Sequence, residues 1–581
     1  MSHVVIIGGG VAGMSAAHEL IERGFSVEVF ERHKQYVGGK ARSVNVPETN
    51  LQFPDKYLPG EHGFRFFPGF YKHVTDTMKR IPFRKPDGTM NAQGCFGNLT
   101  PTKRIMIARY GKPPIVTIAS FPRSLADLKV IIHDMHGTDT GLTHEEEEFF
   151  AHRVWQLMTS CTERRTNDYE RLSWWDYLEA DRFSKIYQSL LVAGLTRTLV
   201  AAQARSASTK TGGDIFLQLI FNMMSPGVNT DRVLNGPTND QWLDPWLTFL
   251  LEKGVRYHKH NKVVGIAMKD GRISTVRVKD ENGTERDVTG DLFVLATPVE
   301  RAAELITMEM EKVDPNLTLA KQLATSVSWM NGIQYYLNED VVINQGHVIY
   351  DDSEWAVTSI SQMQFWKGYD LGDRYNGKVK GVLSVDISDW LYTKFKGRLA
   401  EDCDPKDVSE LVWEQLEKSL NVGGKVVLRK NMIEHWYLDR DIRWRPIVHG
   451  DLDKEPLLVN TVNSWALRPE AMSRIPNLFL ASDYVRTYTD LATMEGANEA
   501  ARRAVNGIIA TTGSSAPLCG VWPMKEPVFF APLKWLDARR YAKGLPWSEH
   551  LPWWMKVFMV PWSIAYAIWF FLFTIFSLVF R

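Results

Sequence analysis

The sequence predicts an α/β chain: a parallel βαβ dinucleotide-binding fold, an interleaved α+β portion and one apolar helix at the C-terminal end. Three observations predict it. The N-terminus is a β-branched strand that runs into Gly8-x-Gly10-x-x-Gly13. Strand signals return at residues 255–299 and 477–482, after long helical and mixed intervals. Residues 557–580, about 24 positions, carry no charge, which is long enough to cross a hydrocarbon core of about 30 Å.

Each element follows from its residues. Gly8 permits a tight turn after the first strand. Gly10 keeps a side chain away from a pyrophosphate, and Gly13 lets helix and strand pack closely. A helix-like stretch follows over Met14–Arg23, its unpaired N–H groups and positive dipole end facing the phosphates, and Val11 and Ala12 are cofactor-binding candidates before it. A second strand, Ser26–Phe30, ends on Glu31, about 20 residues on, where a carboxylate accepts from ribose hydroxyls, with Arg32 beside it. Gly38 and Gly39 then bring backbone N–H groups near an anion, and Lys40 and Arg42, flanking Ala41, add positive charge. These residues alone leave NAD and FAD both open.

Residues 46–75 read as a Pro-, Gly- and aromatic-rich loop region, and 76–250 as mostly helical. Lys262–Met268 and Ile273–Val278 read as strands joined by Asp270-Gly271, and Asp291–Ala296 as a buried strand. Residues 300–450 alternate helices and strands. Residues 477–510 give a strand, a loop and a helix, and Pro517–Trp554 a Pro- and Trp-rich connector.

Lys plus Arg and Asp plus Glu each total 68, so the formal net charge is zero and no nucleic-acid partner is expected. The four cysteines lie far apart and read as reduced thiols, and the fifteen histidines form no metal-binding pair, so no metal is expected. No leader is expected before the strand at residue 3. Many of the twenty tryptophans crowd near the C-terminal end, where Trp553, Trp554 and Lys556 open the apolar run and Arg581 closes it. Lys534, Arg539, Arg540 and Lys543 suggest a C-terminally anchored membrane protein with its body on the cytoplasmic side, and Leu533–Lys543 suits the headgroup region. A buried core helix and a half-inserted hairpin broken at Pro561 are the alternatives.

The segment Gly38–Ser43 resembles the GG-(R/K)-x-x-S segment of the FAD-dependent amine oxidase and phytoene desaturase superfamily. Three more segments carry the resemblance. Glu61–Tyr71 is similar to the E-x-G-L-H-x-F-F-G-x-Y segment of plant- and cyanobacterial-type carotene desaturases, with Arg65 in place of the histidine. Leu234–Pro245 with Gly254-Val255 and Lys262–Ile266 is similar to the G-x-P…P, G-V and V-x-x-I run. Asn477–Tyr484 with Ala492–Ala497 is similar to L-A-G-D…S-M-E-G-A, with Ser482 in place of the glycine.

The resemblance implies a Rossmann-like FAD-binding domain of the amine oxidase type, discontinuous over 1–75, 250–300 and 470–512. It implies a substrate-binding domain from 76–249 and 301–469, an interfacial connector over 513–556 and a membrane segment over 557–580. The resemblance also implies that the FAD is held non-covalently. Gly63 and Phe64 then lie beside the flavin ring, Val263 or Val264 against the adenine, and Ser482 and Asp483 near the ribityl chain. Thr493, Met494 and Ala497 open a helix aimed at the flavin, which stabilises its anionic reduced form.

The implied activity is desaturation of a carotenoid-like, isoprenoid or other lipid substrate by hydride transfer to flavin N5, with a membrane quinone or oxygen as electron acceptor. Arg65 is the expected electrostatic stabiliser, and Tyr488 and Asp490 are further catalytic candidates. Glu434, His435 and Trp436 form a polar–aromatic cluster. Leu190–Leu195, Ile215–Met224 and Met363–Trp366 are candidate linings of a lipid tunnel, and membrane attachment favours self-association. An isomerase, a saturase or a hydroxysqualene dehydroxylase shares these motifs. An amine oxidase fits less well, because Thr493 stands where those enzymes place a cage tyrosine and no cysteine lies within 404–518 for a covalent flavin. A flavin-binding escort protein is the non-enzymatic alternative.

Overall fold

The computed structural model describes residues 2–116, 141–194, 203–223, 225, 229, 231–440 and 455–579. Its organising element is a five-stranded parallel sheet. The strands are β1 (His3–Ile7), β2 (Ser26–Phe30), β3 (Arg256–His258), β4 (Leu292–Leu295) and β5 (Leu478–Leu480), in the spatial order β5-β4-β1-β2-β3. Val4, Val5 and Ile6 are fully buried in succession, as an unbroken apolar strand must be when both faces of a parallel sheet are covered. Helix α1 (Val11–Ile21) and helix α2 (Met494–Thr512) pack on each other in the same core. Segments from three distant parts of the chain therefore complete one sheet.

Lys262–Lys269, Arg272–Lys279 and Glu285–Val288 form a small antiparallel sheet whose Val263, Ile266, Val276 and Val278 join that core. Its first turn is Asp270-Gly271, both at positive φ, the requirement of a two-residue hairpin turn.

A second sheet has seven strands. They run in the order Ile433–Leu438, Asn331–Leu337, Gly381–Ile387, Val357–Ser361, Val348–Tyr350, Met106–Arg109 and Lys112–Val116. Helix Pro405–Leu420 buries Val408, Val412 and Leu416 with this sheet's core. The mostly helical reading of 76–250 is corrected here: Met106–Arg109 and Lys112–Val116 form an edge hairpin, turning at Gly111 with φ +63, and Leu99–Pro101 pairs with Arg232–Leu234. The partner of Met106–Arg109 is a parallel strand at Val348–Tyr350, too far along the chain to leave a local signal. The loop reading of 46–75 is likewise interrupted by Pro59–Glu61, paired with Ser43–Asn45.

The third part is helical. His144–Thr159 starts on a capping box between Thr143 and Glu146, and Ser173 and Ser184 cap the short helices after it. Thr209–Met223 packs against them through Leu217, Ile220 and Phe221. The C-terminal connector returns onto this core with Phe529, Phe530 and Leu533. Within it Ala531–Tyr541 is a helix, clamped by Arg164 on Asp537 at 2.9 Å and by Arg165 on Glu526 at 2.7 Å, while Lys534 closes on Glu526 from the other side.

The last helix, α3 (Trp553–Val579), is long and apolar enough over Trp553–Ile575 to cross a membrane. It runs unbroken through Pro561, which corrects the hairpin broken at that residue. Almost none of its apolar window is buried, unlike a core helix.

Candidate functional site

The C-terminal ends of β1 and β2 open into a cavity of about 430 Å³, bounded by both sheets and by the start of α2. Its polar end is built by the three glycines. Gly8 takes φ +105 and so turns the chain. A Cβ on Gly13 would lie 1.9 Å from the Gly8 carbonyl oxygen, so α1 can approach β1 only without a side chain there. Gly10 is different: the nearest atom to an added Cβ is Gly39 Cα at 3.8 Å, so its side is open. Val11 and Ala12 line the cavity behind it. No side chain caps α1 and its first turn holds no acid, so its N–H groups and dipole are left for an anion.

Glu31 accepts from Gly9 N at 2.7 Å through Oε2 and from His33 N at 2.6 Å through Oε1. A carboxylate has about four acceptor sites, so two remain at the cavity wall that Glu31 lines. Burial raises its pKa against those two N–H bonds. Gly38 donates to the Gly9 carbonyl at 3.1 Å, and Gly38 and Gly39 both take positive φ, which brings the second glycine pair against the first.

The cations beside it are not free. Arg32 and Arg42 both bind Glu455, at 2.7 and 2.8 Å, and Lys40 binds Glu300 at 3.2 Å. Glu455 and Glu300 line the cavity and have no sequence motif. Tyr257, which has no motif either and stands outside the lining, donates its hydroxyl to the Gly9 carbonyl at 2.7 Å and fixes the turn.

The Glu61 and Thr238 segments hold this loop from behind. Glu61 accepts from Thr238 N and Oγ1, both at 3.0 Å, and Asn239 exchanges hydrogen bonds with Ser43 at 2.8 Å. Burial pushes the Glu61 carboxyl up to about 7. Arg65 lines the cavity and donates to the carbonyls of Gly63 at 2.7 Å, Ala41 at 3.3 Å and Lys40. It therefore staples the Lys40–Ala41 loop to the Gly63 segment and fixes a cation at the wall.

Ala41, Gly63, Phe64, Ser482, Asp483, Met494 and Ala497 also line the cavity, as do Val263 and Val264 of the small sheet. Gly63 is pressed on the second sheet: an added Cβ would meet Asp386 Oδ1 at 2.5 Å. Ser482 takes φ +148, a region that glycine adopts easily and that is strained for other residues. Thr493 lines the cavity and caps α2 by accepting from Gly496 N at 3.1 Å. Glu495, in the same turn, points away and accepts from the backbone N–H groups of Lys72, His73 and Val74. The dipole end of α2 is thus left facing the cavity.

Two predicted catalytic residues are corrected. Asp490 is buried away from the cavity, paired with Arg468 at 2.8 Å and Lys210 at 3.0 Å. Tyr488 is 44% exposed, with Arg503 over its ring. Neither lines the cavity, because the loop before α2 turns outward there; Asp490 itself takes φ +49. Glu434, His435 and Trp436 lie on an edge strand, with His435 against Tyr336 and Tyr375. Of the proposed tunnel stretches, Ile215 and Leu219 line the cavity, whereas 190–194 and 363–366 do not; Leu195 and Met224 lie outside the described residues.

Sequence reasoning passed over the acid–base groups on the wall. His62 and Asp386 both line the cavity and are buried. His62 Nδ1 bonds Asp439 Oδ2, and its Nε2 has no hydrogen-bond partner among the described residues; nor has Asp386 Oδ1. Burial lowers the His62 pKa, but Asp439 outweighs it and the net shift is upward. Burial pushes the Asp386 carboxyl up to about 6 against Arg65 and His62. His62 stood inside the Glu61–Gly63 motif but in a variable position.

The donor set fits FAD: an uncapped helix start for a pyrophosphate, free Glu31 acceptor sites for a ribose, and a second helix dipole at the cavity wall. The chain is 31% identical over 94 residues to 4,4'-diaponeurosporene oxygenase of Staphylococcus aureus, across 15% of this chain and 19% of that protein. It thus spans about a fifth of the length of such curated relatives. Its fold is similar to that of cyclohexylamine oxidase from Brevibacterium oxydans, with a TM-score of 0.58 and 12% identity over 88% of this chain and 99% of that one. It is also similar to an oxidoreductase from Methanosarcina mazei, with a TM-score of 0.54 and 13% identity over 87% and 100%. The model of the flavin containing amine oxidoreductase family matches residues 11–509. The chain therefore belongs to that family of flavin-containing oxidoreductases.

Proposed function

We propose that the protein desaturates a hydrophobic, isoprenoid-like lipid drawn from a membrane. The observation that carries this is the apolar part of the cavity lining. It is made by Phe64, Phe66, Phe70, Ile215, Leu219 and Met330, a surface that suits an apolar chain. The similarity to an enzyme named for a carotenoid-type substrate supports the same reading, as does the apolar helix α3.

FAD, when bound, accepts the electron pair removed from the substrate. The chain's own groups do the rest. Forming a double bond also releases a proton, and Asp386 Oδ1 is an unpartnered carboxylate oxygen of a wall residue, as is Glu300 Oε2. Arg65, pinned by three carbonyls, supplies fixed positive charge without reorganisation.

A redox-neutral reaction, isomerisation or dehydroxylation, is favoured by one observation. His62 is held toward its protonated form by Asp439 with Nε2 unpartnered, so it suits proton delivery rather than removal. Anaerobic mixing of the holoprotein with host lipid fractions, followed by flavin absorbance, separates the two. Bleaching by one fraction supports desaturation. Product change only after chemical reduction of the flavin overturns it in favour of the redox-neutral reaction.

A further inference from the structure

Glu495 stands in the first turn of α2, between Met494 and Ala497, which line the cavity. A carboxylate in that turn is attracted to the N–H groups of its own helix, where it offsets the dipole end that α2 turns to the cavity. Glu495 is engaged elsewhere instead. Helix His73–Arg80 starts beside it with no side-chain cap of its own. Glu495 accepts there from Lys72 N at 2.6 Å, His73 N at 2.9 Å and Val74 N at 2.9 Å, so the acid of one helix caps another. His73 Nδ1 adds a fourth contact at 2.8 Å. A carboxylate has about four acceptor sites, and these donors fill them. Both side chains are buried.

The His73 ring makes that bond in one form only. Trp522 N donates to its Nε2 at 2.9 Å. A backbone N–H cannot accept, so Nε2 holds a lone pair and the ring proton sits on Nδ1, aimed at Glu495. Trp522 belongs to the connector that leaves α2, and the connector is bolted down on both sides of it. Cys519 N donates to Asn506 Oδ1 at 2.7 Å, Arg502 to the Gly520 carbonyl at 3.2 Å, and Gln218 to the Lys525 carbonyl at 3.0 Å. The Trp522 ring packs on the His73 ring at 5.2 Å, and the Arg502 guanidinium lies over it, also at 5.2 Å. Arg502 donates to the His73 carbonyl at 3.1 Å as well. Backbone, ring face and one ring nitrogen are thus all held, which leaves the other nitrogen for Glu495.

We propose that His73 is a positioning residue for the flavin: in the tautomer set by the connector, it keeps the Glu495 charge turned away from the cavity end of α2, and so sets the balance between oxidised and reduced flavin. This rests on the flavin site and not on the choice of substrate, and its test needs no substrate. The full-length holoprotein and its variants are reduced stepwise against redox dyes, and the flavin midpoint potential is read. His73→Gln keeps an amide oxygen within reach of Trp522 N but gives Glu495 no donor. Its ratio of reduced- to oxidised-flavin affinity is expected to fall about tenfold, a midpoint about 30 mV more negative for a two-electron couple. His73→Asn places an amide N–H near the Nδ1 position and is expected to keep the parent potential. Glu495→Gln has no charge to release and is expected to keep it too; in that background His73→Gln is expected to add nothing. An unchanged potential in His73→Gln overturns the proposal. So does a drop in His73→Asn as large as that in His73→Gln, or a drop in His73→Gln that survives Glu495→Gln. A rise of about 30 mV in Glu495→Gln alone overturns it as well, because the charge would then already act on the flavin in the parent. The His73→Asn and Glu495→Gln measurements stand by themselves if His73→Gln does not fold.

Discussion

Asp490 and Arg468 form an ion pair of 2.8 Å in a site closed to solvent, and Lys210 meets the other carboxylate oxygen at 3.0 Å. Removing one partner strands the others, which costs about 3–5 kcal/mol for a buried pair. Asp490→Ala is therefore expected to lower the unfolding midpoint sharply, and Asp490→Asn less. Stopped-flow reduction of the correctly folded Asn variant checks the role: a rate near that of the parent fits a structural ion, and a collapse at unchanged midpoint would return Asp490 to catalysis.

Gly10→Ala and Gly13→Ala are expected to fail differently. A Cβ at Gly13 collides with the Gly8 carbonyl at 1.9 Å, whereas one at Gly10 finds no protein atom nearer than 3.8 Å. The Gly10 variant is expected to fold but to purify with little flavin; the Gly13 variant is expected to fold poorly. Circular dichroism and the ratio of flavin to protein absorbance separate the two, and equal behaviour would count against the assigned cradle.

Arg65→Met removes three donors to loop carbonyls. With hydrogen bonds to charged groups worth about 1.5–3 kcal/mol each, FAD affinity is expected to fall by roughly tenfold or more, and Lys to restore only part of it. Fluorescence titration of the deflavinated variants measures this. Unchanged affinity with slowed reduction would assign Arg65 to transition-state charge alone.

Asp386 sets a pH dependence. Burial raises its carboxyl to about 6, so flavin reduction by substrate is expected to decline as pH falls through about 6 and the proton acceptor fills. Stability runs the opposite way: its folded pKa lies above the ordinary 3.8, so stability is gained as pH falls through this window. Asp386→Asn is expected to flatten both profiles; a limb near pH 6 that survives the substitution would sink the assignment.

Ser482 stands at φ +148, and Ser482→Gly is expected to stabilise the protein by about 1 kcal/mol. Thermal unfolding with and without FAD reads it. A drop in midpoint would mean that the hydroxyl, bonded to Asp483 Oδ1 at 3.1 Å, outweighs the strain.

The parts of the site legible in the sequence are those whose geometry is local. Gly8, Gly10, Gly13 and Glu31 lie on one strand–helix–strand unit, so spacing alone fixes how they meet. Thr493 and Met494 announce a helix start by residue type. Asp386, Glu300 and Glu455 carry no such mark, because strand pairing and chain crossing bring them to the wall from afar. Asp439 reaches His62 across 377 positions. The hairpin at Met106–Val116 was within reach: Tyr110-Gly111 is a turn signal between two short β-rich runs. The surrounding helix-like pattern masked it, and its partner at Val348–Tyr350 is non-local.

The arginine clamp on the connector decides where the chain can be shortened for work in plain buffer. A cut between Pro552 and Trp553 keeps Asp537 for Arg164 and Glu526 for Arg165. A cut at the end of α2 would leave these guanidinium groups only Asp168 and Asp214 among their described acid partners. It would also uncover the helical core on which Phe529, Phe530 and Leu533 sit. The connector is part of the catalytic body in all but sequence position, and a water-soluble enzyme is to be sought by trimming after it.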